Sequence, residues 1–463
     1  MLNMHPLLIL AIGMLTVVLM ITLLRMNAFI ALIASAIVVS LLAPGSLDEK
    51  ISRVASEFGH TAAGIGIVIA LAVVIGRCMM DSGAADRVVQ GFLTLLGEKR
   101  SAAALMASGF VLSVPVFFDT VFYLLVPLVR SMYRRTGKHY LKYAMAIVAG
   151  GVITHCLVPP TPGPLIMVEN LGIDIGMMIM VGALVSVPAA IVGMFFSGWL
   201  DRRMDIPMRS IATDQSEPEP LGEYQLPGLW SSLLPIILPV LLVSANTIIH
   251  TIAKDATNDS LLSQTANVMA VLGNVNLAML ASAAIAMWTL KKKRNLTNAQ
   301  LGKVVEVSLM SGGMIILITA AGGAFGAMLK EAQIGQAIEN LVKSDASHPT
   351  NGLILLGLGA LIAAVMKIAQ GSCTVAMITA SAMIAAMIPS AKTIGYHPVY
   401  LATAIGGGSM IGSWMNDSGF WIFVKMMGLT ETEGLKSWTP LLAIVGLTAV
   451  IISFLLAIVV PIS

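Results

Sequence analysis

The sequence predicts an all-α polytopic membrane protein. It further predicts an inverted-repeat transporter with two re-entrant hairpins, two broken helices and about ten full spans. Three observations carry this. Apolar residues make up 57% of the 463 and charged residues only 11%, too few charges to cover several soluble globules, whose share is roughly 25%. The apolar residues gather in long runs, several of about 18 residues or more, enough to cross a ~30 Å hydrocarbon core. The second half repeats landmarks of the first, in order, at offsets of 250 to 256 residues. The net charge of +3 points to no nucleic-acid partner. Cys78, Cys156 and Cys373 lie in or beside apolar runs, so no disulfide framework is implied.

Taken in order, 6–24 reads as a first span and not a cleavable signal, because Arg25 follows it and no small-residue cleavage site appears. Runs at 27–44 and 59–80 follow, then an amphipathic segment, 84–97, that reads as interfacial. Segment 101–133 is long and apolar but interrupted by VPVFFDT, which reads as a re-entrant hairpin whose tip is buried in protein or faces a wet cavity. Span 141–172 contains PPTPGP at 159–164, and no continuous helix survives four prolines in six residues. A last span to residue 200 closes a first repeat, 1–200. Residues 201–228 are acidic, Pro-rich and without apolar periodicity, a cytoplasmic linker. The second repeat, 229–463, follows the same plan. It has runs at 229–252, 265–290 and 302–325, a hairpin 350–390 interrupted by AQGSCT, a span 396–428 broken at MNDSG, and a final run 439–460. The clusters AAGGAFG (320–326) and GGGSMIG (406–412) suit close helix packing.

Charge placement tests the repeat independently, since Lys and Arg mark cytoplasmic ends. The loop after the first hairpin, 130–142, carries five basic residues and its counterpart, 388–397, carries one. Equivalent segments therefore face opposite sides. With 130–142 inside, 20 of the 27 Lys and Arg residues fall at cytoplasmic ends, and both termini fall outside. In inverted-repeat transporters the site lies where discontinuous elements of the two halves meet.

Half-helix ends at membrane depth present free N–H groups and a positive dipole end, which suit an anion. The substrate-binding candidates are Thr120, Thr161, Gly163, Lys367, Gly371, Ser372, Thr374, Asn416, Ser418 and Gly419. The hydroxyls and amide among them suit a hydroxylated ligand, and Lys367 suits its negative charge. Ionisable groups at membrane depth are costly and point to function. Asp119, Asp417, His155 and Glu169 are the candidates for coupling a cation. No HExxH, GxSxG, P-loop or GxGxxG signature occurs, so no enzyme, metal or cofactor is predicted, and an ion gradient must drive any active transport.

The motifs VPVFFDTVFYLLVPL (114–128), THCLVPPTPGPLIM (154–167), QGSCTVAMITA (370–380) and GSWMNDSGFWIF (412–423) together resemble the gluconate:proton symporter, GntP-type, family of bacterial permeases, over nearly the whole length. The resemblance implies an inner-membrane homodimer importing gluconate or a related sugar acid with a proton. A D-serine branch, other small organic acids, sodium coupling and passive facilitation are the alternatives. Gluconate-type members usually carry His where Thr161 stands, often Pro where Ser418 stands, and commonly Arg where Lys367 stands. Lysine keeps the charge there but loses the bidentate fork.

Overall fold

A computed structural model describes residues 5–97, 100–204, 206–209, 226–253, 261–333, 350–388, 394–415 and 417–461. All regular structure among them is helical. The first half holds α1 (Pro6–Thr22), α2 (Ala28–Leu42), α3 (Leu47–Ser82), α4 (Ala84–Leu96), α5 (Ser101–Leu112), α6 (Phe118–Thr136), α7 (Tyr140–Leu157), α8 (Pro162–Leu171) and α9 (Ile175–Met204). The second holds α10 (Leu229–Ile252), α11 (Leu261–Leu272), α12 (Val275–Arg294), α13 (Asn298–Glu331), α14 (Thr350–Gln370), α15 (Cys373–Met387), α16 (Val399–Gly408), α17 (Ser418–Met427) and α18 (Glu431–Val459).

Local chemistry fixes the boundaries. Capping boxes open α3 (Ser46 with Glu49), α13 (Thr297 with Gln300) and α18 (Thr430 with Glu433), satisfying backbone donors at each start. Asn27 and Asn274 cap α2 and α12. Three interruptions fall where the sequence places them, and the fourth opens earlier, so that Ser418 and Gly419 already belong to the following helix. Residues 113–117 separate α5 from α6, 158–161 separate α7 from α8, 371–372 separate α14 from α15, and 409–417 separate α16 from α17.

Apolar character sorts the helices into layers. α7 and α16 are apolar on all sides and buried on nearly all, as core helices are. Small residues within α16 allow it. A Cβ on Gly406 would collide with Leu157, one on Gly407 with the carbonyl of Gly446, and one on Gly408 with the carbonyl of Ala360. Three successive glycines thus let α7, α18 and α14 approach α16 together. The outer helices turn Phe195, Trp230, Leu361 and other large apolar side chains outward, which is favourable in lipid and costly in water.

Packing partners pair off between the halves. α5 packs on α7 as α14 does on α16, and α7 on α9 as α16 does on α18. α2 packs on α13 as α12 does on α3, and α6 on α17 as α15 does on α8. In the second hairpin, Gly359 lies against Ile384, one well before the tip and one well after it, so α14 and α15 run side by side.

Several expectations are refined. Among the described residues, six helical stretches are by themselves long and apolar enough to cross a bilayer, or seven if a bent pair is one span. α1 and α2 have 17 and 15 residues, short of the ~20 that span the core. α16 and α17 have ten residues each, roughly 15 Å apiece. The run 265–290 is not straight but bends by 53° between Leu272 and Val275, where Asn274 caps α12. Much of the apolar face of 84–97 is covered by protein. Val88 and Val89 of α4 are buried and the helix packs on α3, α5 and α10, although Leu95 is exposed. The linker begins later than residue 201, because α9 continues to Met204.

Candidate functional site

A cavity of about 540 Å³ lies between the two hairpin tips and the break before α17. Its walls are Phe117, Phe118, Asp119 and Thr120 at the first tip, Gly371, Ser372, Cys373 and Thr374 at the second, and Asp417, Ser418 and Gly419 at the break. Val152 and His155 of α7 and Trp438 and Leu442 of α18 complete it. Three helix N-termini therefore meet there. Among the described residues no side chain caps α6, so the first-turn N–H groups of Phe118 and Asp119 have no side-chain partner there. Ser372 Oγ accepts from the Val375 N–H at the start of α15, and Asp417 Oδ1 accepts from the Gly419 N–H at the start of α17.

The fourth half-helix start stays out. Pro162 and Pro164 give α8 no N–H at two first-turn positions. The Thr161 hydroxyl donates to the carbonyls of His155 and Val158, at 2.8 and 3.0 Å, and so fastens the break instead of facing the cavity. Gly163 makes room for Met377, with which any Cβ would collide. Glu169 sits against Gly64 of α3, with its carboxylate 3.8 Å from the His60 ring. Thr161, Gly163 and Glu169 are thus placed away from the cavity. Asn416 lies outside the described residues.

Lys367 does not line the cavity. It is fully buried behind the second tip, and its ammonium donates to the Gly371 carbonyl and, at 2.6 Å, to Asp417 Oδ2. The same oxygen accepts from Ser413 Oγ at 2.5 Å, and Ser413 accepts in turn from Trp438 Nε1 at 2.7 Å. Asp417 is therefore held by Lys367, Ser413 and the Gly419 N–H. This satisfied network joins α14, the break and α18, and a buried ion pair needs such extra bonds to offset desolvation.

The floor is aromatic. The ring centroid of Trp438 lies 5.8 Å from that of Phe118 and 5.5 Å from that of Phe423, and Phe122 lies 5.7 Å from Phe423. Gly419 must be small here, since a Cβ would come within 2.9 Å of Trp438. The His155 ring lies tilted against Phe117 with centroids 5.6 Å apart, and its Nδ1 is buried without a hydrogen-bond partner among the described residues. Asp119 accepts a 3.3 Å hydrogen bond from Ser418 Oγ, which links the first hairpin tip to the second break.

The structure thus brings together Asp119, Thr120, His155, Gly371, Ser372, Thr374, Asp417, Ser418 and Gly419. Sequence reasoning missed Phe117, Phe118, Val152, Cys373, Trp438 and Leu442 as wall residues. The tip motif carried a signal for Phe117, Phe118 and Cys373. No local signal marks Trp438, which lies in a continuous helix.

The sequence model of the GntP family permease matches residues 5–459. The chain belongs to the GntP permease family. It is a permease and not an enzyme. It is 31% identical over 439 residues to the gluconate permease of Zymomonas mobilis, covering 94% of each chain. It is 29% identical over 450 residues to the Gnt-II system L-idonate transporter of Escherichia coli, covering 96% of this chain and 98% of that one. In fold it is similar to the Alcanivorax borkumensis YdaH transporter, with a TM-score of 0.64 at 14% identity over 99% of each chain. That likeness concerns the fold alone.

Proposed function

We propose that this GntP family permease is a proton-coupled secondary transporter that imports a small hydroxy-carboxylate, gluconate or a related sugar acid foremost. The observation that carries the reading is the convergence of three half-helix N-termini on one cavity lined by the hydroxyls of Thr120, Ser372, Thr374 and Ser418. Helix N-termini favour an anion. The hydroxyls match the OH groups of a polyol acid, and about 540 Å³ suits a small ligand. Relatives named for gluconate and L-idonate support the substrate class.

The matched packing partners of the two halves support an inverted repeat, 1–200 and 229–463, that alternates access around the cavity. The shorter helices, together with the broken ones, complete about ten crossings in this reading. The protein sits as a homodimer in the bacterial inner membrane with both termini outside.

The test is labelled gluconate uptake into proteoliposomes, acidic outside and sodium-free. Accumulation above the external concentration that collapses with a protonophore is the expected result. Equilibration without accumulation would make the protein a facilitator. Accumulation that follows sodium at fixed pH would replace the coupling ion. Uptake of D-serine with none of gluconate would replace the substrate.

A further inference from the structure

We propose that Asp119 carries the coupled proton, and that Lys367 and Asp417 form a structural pair held by each other and not by the substrate. The proposal rests on the anion-plus-proton reading above and assigns its coupling residue. It follows from a count of charges. The described walls carry two carboxylates, Asp119 and Asp417, and the one ammonium behind them is Lys367. That ammonium lies 2.6 Å from Asp417 Oδ2 and also donates to the Gly371 carbonyl. Asp417 accepts two further bonds, from Ser413 and the Gly419 N–H. Its charge is matched and three of its acceptor positions are used.

Asp119 is different. No ion pair reaches it among the described residues, and its one hydrogen bond there is the 3.3 Å contact from Ser418 Oγ to Oδ2. The ionisable groups around it are His155 on α7, Asp417 at the break, Lys367 on α14 and Cys373 on α15. None offers it a free positive charge. Asp119 stands in the first turn of α6, whose positive dipole end favours its ionised form. A substrate carboxylate entering the same cavity meets a like charge in a space from which it displaces water, and two carboxylates at close quarters cannot both stay ionised. One proton on the Asp119 carboxyl removes the conflict and supplies a donor to the incoming carboxylate. The proton arrives from outside water with the substrate and leaves to the cytoplasm when the substrate departs. Neither ion then crosses alone.

The test measures proton uptake on gluconate binding by the purified full-length protein, read calorimetrically in buffers of different ionisation enthalpy, together with the infrared difference spectrum in the carboxyl region. Near neutral pH the wild type should take up about one proton per gluconate and show a new protonated-carboxyl band. Asp119→Asn should bind with no proton uptake and no band. If that variant does not fold, Asp119→Glu must move the band while Asp417→Glu leaves it in place. Wild-type binding without proton uptake, a band that moves with Asp417→Glu, or undiminished uptake by Asp119→Asn overturns the assignment and leaves the transport reading standing. Failure of the wild type to bind gluconate and every related sugar acid overturns the transport reading and this inference with it.

Discussion

At the residue scale, the decisive fact is what each intramembrane charge touches. Lys367 suited a substrate-neutralising role in the sequence, since a lone cation at membrane depth needs an anion. The anion it finds is Asp417, 50 positions along the chain and 2.6 Å away. Removing one partner leaves the other buried and unpaired, so Lys367→Met should cost about 3–5 kcal/mol of stability. Lys367→Met combined with Asp417→Asn should recover most of it. A double-mutant cycle on thermal unfolding of the detergent-purified protein measures this, and a coupling energy under about 0.5 kcal/mol would contradict the pairing. Thr161 teaches the same lesson. Its position in PPTPGP marked it as a ligand group, but both of its bonds go to carbonyls of the break it belongs to.

At the scale of elements, most helix boundaries were legible because caps, prolines and glycines act locally. The interruptions at both hairpin tips and in both broken spans fall where polar and small residues interrupt apolar runs. The role of α4 was not legible. An apolar face at helical spacing looks the same whether lipid or protein covers it, and here α3, α5 and α10 do. Whether the break at 158–161 joined the cavity was equally hidden, because the prolines that guarantee a break also remove the donors a ligand would use. The glycines of α16 allow a sharp prediction. Gly408→Val would drive its side chain into the Ala360 carbonyl on α14. Overpacking of this kind should cost about 1–3 kcal/mol or block folding. Gly313→Ala, where a Cβ meets nothing within 4 Å, should keep its melting temperature or raise it. Equal losses from both would show that the helix contacts are not tight.

At the scale of the whole molecule, the proposed topology puts the C-terminus outside and the linker inside. A phosphatase fused after Ser463, active only outside the cytoplasm, should be active, and one inserted between residues 210 and 225 should be inactive. The reverse result would invert the protein in the membrane. By itself the sequence determined that this is an all-helical membrane protein of the GntP type, where its helices break, and which polar residues stand at the breaks. Those properties depend on composition, spacing and local backbone chemistry, which are written along the chain. Only the tertiary structure decided which breaks meet. It placed three helix starts around one cavity and kept the start of α8 out. It spent the charge of Lys367 on Asp417 and left Asp119 with a serine hydroxyl. The energy of a charge is set by what lies within a few ångströms of it, and in this chain those neighbours come from segments as far apart as Asp119 and Ser418.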